Sequence, residues 1–193
     1  MVASAFLPVA FHQGKLYFLF GKEIDEDSSP GFSDFGGGVE NKEDIYEAGL
    51  REMAEETTGF FGNAEDVRKM VEKRGGVYPL VHEKYHIHIF RTDYDPKLIE
   101  YYNHNHRYIY DHVDNAYLKK TKIFEKIEIQ WMTIADMKKR RAEFRHFYQV
   151  IVDKIIRESG KILQFIQKTK KAPVTKNKTR RILEPKVPIK PPR

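Results

Sequence analysis

The sequence predicts a mixed α/β domain. Short apolar runs of strand length, bounded by turn residues, recur at Ala5 to Phe11, Lys15 to Phe20, 77–91 and 123–132. Two longer stretches, 43–57 and 144–158, repeat their apolar residues at helical spacing. Hydrophobic residues make up 40% of the 193, and aromatics 13%, which is enough for one real core.

The first two runs are joined by His12-Gln13-Gly14 and read as a hairpin. An acidic, Ser- and Pro-bearing loop spans 23–30. Phe32 to Phe35 alternates and reads as a short strand feeding a loop at Gly36-Gly37-Gly38. Asn41 and Asp44 look like an N-cap pair for a helix from Glu43 to Thr57. Ile45, Leu50, Met53 and Thr57 form its inner face, with its acids on the other. A second helix from Asn63 to Arg74 has Asn63 as cap, Val67, Met70 and Val71 as stripe, and Gly75-Gly76 as stop.

In the 77–91 strand region, His86 and His88 share one face. They are either a metal pair or, more plainly, residues on the cleft side of a sheet. The segment 94–117 has poor periodicity, although Pro96 to Tyr102 can start a helix. Its Tyr, His and Arg residues suit either stacking on nucleobases or covering a core edge. Next come a strand, Ile123 to Met132 with Trp131, and a short helix, Ala135 to Arg140. The last clear element is an amphipathic helix from Phe144 to Glu158, carrying Phe144, Phe147, Tyr148, Ile151, Ile155 and Ile156. Gly160 is placed to stop or bend it.

Charge divides the chain in two. Residues 168–193 hold ten Lys and Arg, one acid (Glu184) and five of the nine prolines, so residues 1–167 are mildly acidic although the whole carries +6. Residues 1–167 read as the folded domain, with an insertion at about 94–117. Residues 168–193 read as a disordered basic tail. The absence of cysteine fits a reducing compartment and leaves no thiol chemistry. No apolar run approaches a membrane span, and Met1 to Phe11 lacks a basic region ahead of its apolar residues. The location expected is cytoplasmic, with the basic tail leaving the nucleus open.

The chemistry concentrates at Gly36-Gly37-Gly38-Val39-Glu40 and Arg51-Glu52-Met53-Ala54-Glu55-Glu56-Thr57. Glu52, Glu55 and Glu56 stand at i, i+3 and i+4, one turn of one helix face. Like charges this close call for a cation, and carboxylate oxygens suit Mg²⁺ or Mn²⁺. Glycines just upstream let backbone approach a ligand without a Cβ in the way.

These residues resemble the Nudix box: Gly, five residues, Glu, seven residues, then Arg-Glu-apolar-any-Glu-Glu-any-Gly-apolar. The pattern falls on Gly37, Glu43, Arg51, Glu52, Met53, Glu55 and Glu56. One departure is that Thr58 stands at the last glycine position and Gly59 follows one residue late. The resemblance implies an α/β/α sandwich with a mixed sheet, and Mg²⁺- or Mn²⁺-dependent hydrolysis of a nucleoside diphosphate linked to another moiety. It implies Glu52 and Glu56 as metal ligands, Glu55 as third ligand or general base, and a Gly36 carbonyl on the metal. Gly37 and Gly38 would line the phosphate path, and Arg51 would pair with Glu43. A further acid before the last strand's Trp is expected in some members, which points to Glu125 or Glu128.

The substrate expected is a small phosphoanhydride. Tyr78 stands near a tyrosine position of dinucleoside polyphosphate hydrolases, and the Gly-Gly-Gly-Val-Glu start is similar to that of diphosphoinositol polyphosphate hydrolases. The ADP-ribose-type proline and the NADH-type Ser-Gln-Pro-Trp are missing from this chain. The basic tail and the Tyr/His segment make RNA 5′-end or cap hydrolysis a second reading, with RNA as partner. A third reading is a Nudix-like domain that binds nucleotides or RNA without cutting. Such domains usually lose a box glutamate, whereas this chain keeps all three.

Overall fold

A computed structural model of the protein describes residues 1–23, 29–114, 116–118 and 125–169. Part of the acidic loop, Ile123, and nearly all of the basic tail lie outside them.

The chain opens with two strands, β1 (Ala3–His12) and β2 (Lys15–Glu23), as the apolar runs predict. Gln13 and Gly14 turn between them, both at positive φ, the geometry that matches the twist of a tight hairpin. Beyond the hairpin end the pair splays apart. The next two strands fill the split: β3 (Phe32–Ser33) pairs β2 and β4 (Phe35–Gly38) pairs β1. The triple glycine, expected as a loop, is therefore strand, with Gly36, Gly37 and Gly38 opposite Ala5, Ser4 and Ala3. The cause is steric. A Cβ at Gly36 would lie 2.2 Å from Ala5 Cβ, so glycine lets the two strands close.

β5 (Val77–His82) and β6 (Tyr85–Arg91) form a second hairpin. β6 runs parallel to β1 from Ala3 to Val9, and β7 (Lys126–Thr133) lies antiparallel along β2. The result is one mixed seven-stranded sheet.

Helices cover both faces, which is the α/β/α arrangement. On one side lie α1 (Ile45–Glu56), α2 (Ala64–Lys73) and α3 (Pro96–His112). Leu50, Met53, Val67, Val71 and Tyr102 pack there against Phe6, Phe35, Phe90 and Ile129. On the other side α4 (Ile134–Lys139) and α5 (Gln149–Thr169) bury Met137, Ile151, Ile155, Ile162 and Ile166 against Leu7, Phe18 and Ile89. None of the helices among the described residues is long and apolar enough to cross a membrane.

Several boundaries differ from expectation. Asp44 alone caps α1, accepting from the Tyr46 N–H at 2.8 Å. The 94–117 segment holds a 17-residue helix, α3, capped by Asp95 with Pro96 at its start. Its stripe is polar as well as apolar: buried Tyr102 and His106, and Asn103, whose amide both donates to and accepts from the backbone of Ile129 on β7. An edge strand's unpaired groups are thereby satisfied by a side chain. The final helix begins at Gln149, after two 3₁₀ turns at 141–143 and 146–148. It passes through Gly160 without stopping and runs to Thr169, beyond the expected boundary at 167. Ile162 and Ile166 are buried beyond the glycine, and that packing outweighs about 1 kcal/mol of glycine cost in a helix.

Candidate active site

The split between β1 and β2 brings β4 against the C-terminal half of α1, and the box residues meet there. The Glu52 carboxylate lies flat on the strand: a Cβ at Gly37 would come within 2.6 Å of its Cδ and Oε1. Only glycine leaves room for it. Glu56 is buried and accepts the Gly36 N–H at 2.8 Å.

Arg51 ties the elements together. Its Nε and Nη2 donate to the two oxygens of Glu43 at 3.0 and 3.1 Å, a bidentate pair. Nη2 also reaches the Gly38 carbonyl at 3.2 Å, and Nη1 reaches Glu52 at 2.7 Å and Glu55 at 3.2 Å. The arginine holds the Glu43 carboxyl below the usual carboxylate range. Gly38 faces this arginine through its carbonyl, so the contact places it with the clamp.

The three box glutamates do not share one environment, contrary to the simple face reading. Glu55 is largely exposed and Glu52 mostly covered, while Glu56 belongs to the inner face with Ala48, Leu50 and Met53. A helix stripe wider than a single edge explains this: position 56 follows 53 by three and 49 by seven. Among the described residues no three His, Asp or Glu side chains converge on one point. Glu52 and Glu55 turn to Arg51, and Glu56 turns inward.

What Glu56 meets inside was not foreseen. Lys126, at the start of β7, is fully buried and places its ammonium 3.3 Å from Glu56 Oε1. The same ammonium donates to Glu23, and to Ser33 Oγ at 3.0 Å. Arg145 donates to Glu23 at 2.6 Å. Tyr102 OH, on α3, lies 3.0 and 2.9 Å from the backbone carbonyls of Glu56 and Lys126, which share its one proton. Burial raises the Glu56 carboxyl well above its ordinary value, against the Lys126 charge, with Glu23, Glu125 and Glu52 adding to the rise. Burial also raises Glu52, opposed by Arg51.

Of the two extra acids expected, Glu125 is near enough to act on both Glu52 and Glu56. Glu128 stands opposite Lys22 and acts on Arg140, on the strand side away from Ile129 and Trp131, so it is not part of this cluster. Tyr78 is turned to the far face, donating to Glu158 of α5 at 2.5 Å. His88 packs its ring between Phe6 and Tyr46, and both its nitrogens are buried without a hydrogen bond. That makes it a core residue.

The residues present suit a divalent cation. The donors are carboxylate oxygens, the glycine cradle holds Glu52 against backbone, and Glu52 and Glu56 are destabilised in their charged form by burial and by neighbouring acids.

The family comparison agrees. The NUDIX domain matches residues 3–152, most of the chain. No curated protein matches the sequence. Among solved structures, the chain is similar to a Caenorhabditis elegans Ap4A hydrolase binary complex, at 16% identity over 84% of this chain and 98% of that one, with a TM-score of 0.47. It is similar to the NUDIX domain of Shewanella oneidensis NrtR complexed with ADP ribose, at 11% identity over 84% and 88%, TM-score 0.49. A NUDIX hydrolase from Nitrosomonas europaea aligns at 16% identity over 83% and 91%, TM-score 0.39. Membership rests on the domain match together with the box residues. The chain belongs to the Nudix family, whose enzymes generally use divalent metal ions, and it is a Nudix pyrophosphohydrolase.

Proposed function

We propose that the protein hydrolyses a nucleoside diphosphate linked to another moiety, using Mg²⁺ or Mn²⁺ held by Glu52, Glu56 and the Gly36 carbonyl. The observation that carries this reading is the seating of two acids on the glycine strand: Glu52 against Gly37 and Glu56 on the Gly36 N–H. When bound, the divalent ion neutralises phosphate oxygens and lowers the pKa of water. Glu55, the most exposed of the three, is the general base and takes the water's proton. Arg51 keeps Glu52 and Glu55 in place while anchoring the strand through Glu43 and the Gly38 carbonyl. Glu125 is the added acid beside them.

The test is Glu56→Gln with dinucleoside polyphosphate and ADP-ribose in saturating Mg²⁺. Loss of a metal contact worth several kcal/mol lowers turnover on the order of 10³-fold, with unchanged circular dichroism. Wild-type turnover would reject the assignment. Turnover of no phosphoanhydride by the wild type, with nucleotide still bound, would favour the non-cutting reading.

A second reading, hydrolysis at RNA 5′ ends, is favoured by α3. Tyr101 and Tyr108 are 59% and 64% exposed on this helix, and the same helix reaches Glu56 through Tyr102. Exposed aromatics on a helix that touches the site suit base stacking. Cap-labelled RNA, dinucleotides and diphosphoinositol phosphates compared side by side decide between the readings. A chain ending at Thr169, the end of α5, tests the basic tail: its contribution predicts a shallower salt dependence of RNA binding in the shortened chain.

A further inference from the structure

Lys126 is an unusual neighbour for a box glutamate. Its side chain is 0% exposed, and its stem crosses β2 where a Cβ at Gly21 would come within 2.8 Å of Lys126 Cγ and Cδ. The glycine leaves the gap that the lysine fills. At the end of the stem the ammonium meets Glu23, Ser33 Oγ and Glu56 Oε1. Arg145 supplies Glu23 with a second cation, at 2.6 Å. The other oxygen of Glu56 takes the Gly36 N–H at 2.8 Å. Both oxygens of Glu56 are thus held, one by a fixed positive charge and one by the strand.

We propose that Lys126 is a positioning residue that acts as a built-in monovalent counter-ion: it fixes the Glu56 carboxylate on the Gly36 amide and lowers the affinity of the site for a divalent ion. This rests on the reading of Glu56 as a metal ligand. A positive charge a few ångströms from a divalent cation repels it, strongly so in a buried setting. The site therefore gives up metal affinity for a carboxylate that is already oriented. Glu23 sets the strength of the effect, because it shares the ammonium. Lys126 is divided between two acids. Without the Glu23 carboxylate, as in Glu23→Gln, it leans wholly on Glu56.

The experiment measures Mn²⁺ binding to the substrate-free full chain, by the loss of the free-ion signal in electron paramagnetic resonance. The double variant Lys126→Met/Glu23→Gln removes one charge of each sign. It binds Mn²⁺ about tenfold tighter or more, while turnover of a dinucleoside polyphosphate falls. Glu23→Gln alone, which keeps the ammonium, moves the affinity the other way and binds Mn²⁺ more weakly. A purely structural lysine would lower thermal stability without these opposed shifts. Equal or weaker Mn²⁺ affinity in the folded double variant overturns the proposal. Should that variant not fold, unchanged or tighter affinity in Glu23→Gln overturns it. Glu56→Gln is the separate control: unchanged Mn²⁺ affinity there rejects the ligand assignment itself.

Discussion

Two cations hold the acids of this site, and they work under opposite conditions. Arg51 is 26% exposed and binds Glu43, Glu52 and Glu55, all within eight residues of it in sequence. Lys126 is fully buried and binds Glu23 and Glu56, which lie 103 and 70 residues earlier in the chain. The first cluster is a local clamp, screened by water and rich in hydrogen-bond geometry. The second exists only once β2, β3, β7 and α1 have come together, and its partners are shielded from solvent. The difference teaches that the site has a buried floor and a partly exposed rim. The floor sets where Glu56 stands, whereas the rim sets where Glu52 and Glu55 stand.

The sharpest break between the two is removal of each cation. Lys126→Ala leaves Glu23 and Glu56 buried with one cation fewer, and costs about 3–5 kcal/mol in urea unfolding. Arg51→Ala costs less, about 1 kcal/mol, because Glu55 reaches water and Glu43 and Glu52 are covered only in part. Its effect is on rate: if Glu52 holds the metal as proposed, loss of the residue that orients it lowers kcat/KM about 10- to 100-fold. If the two variants lost similar stability, the floor and the rim would not be distinct.

A third measurement asks what burial does to a titratable group that makes no hydrogen bond. His88 has neither nitrogen bonded, and burial lowers its pKa from 6.5 to about 4, with His86 adding to the shift. Its unfolded form therefore binds a proton that the folded form refuses between those values. The stability it contributes is complete above pH 6.5 and is lost as the pH falls towards 4. Allowing for its partial exposure, the loss is about 2 kcal/mol. Asp34 opposes it: burial raises its carboxyl to about 6, so its contribution is lost as the pH rises from 3.8 towards 6. Unfolding curves of the wild type and His88→Phe between pH 4 and 7 isolate the histidine. The variant gains relative stability as the pH falls, and parallel curves would remove His88 from the account.

The same contrast explains what was legible in the sequence. The Arg51 cluster was readable because a helix places i, i+3 and i+4 together and the box spacing fixes the rest. Lys126 was not, since a lysine next to Glu125 looks like surface charge until Gly21 and Glu23 are seen opposite it. The hairpins and α2 followed from turn residues and caps. α3 was obscured because Tyr102, Asn103 and His106 bury polar atoms that meet backbone or ring partners, which blurs an apolar stripe. The start of α5 was placed too early because Phe144 and Tyr148 are buried at helical spacing yet belong to extended backbone and a 3₁₀ turn, with Phe144 bridged to Phe32.

The smallest effect concerns the one place where the box departs from its pattern. Thr58 replaces the expected glycine, and it adopts the left-handed conformation a glycine would supply, at φ 49°. For a β-branched residue this is strained, at a cost of about 1–2 kcal/mol. Part is returned by its hydroxyl, which donates to the Thr57 carbonyl at 2.9 Å. The turn is still made, with the Gly59 N–H bonded to Ala54 O at 3.1 Å and Thr57 Oγ1 closing on Met53 O at 2.6 Å. Thr58→Gly removes the strain but also frees the unfolded chain, which costs stability in the opposite sense. The net expectation is a gain of about 0.5–1 kcal/mol in urea unfolding. Because Thr58 lies beyond Glu56 and touches neither cation, turnover and Mn²⁺ affinity stay at wild-type values. A drop in either would mean that the strained turn at the end of α1 helps to place Glu56, which would make Lys126 only one of two holds on the floor of the site.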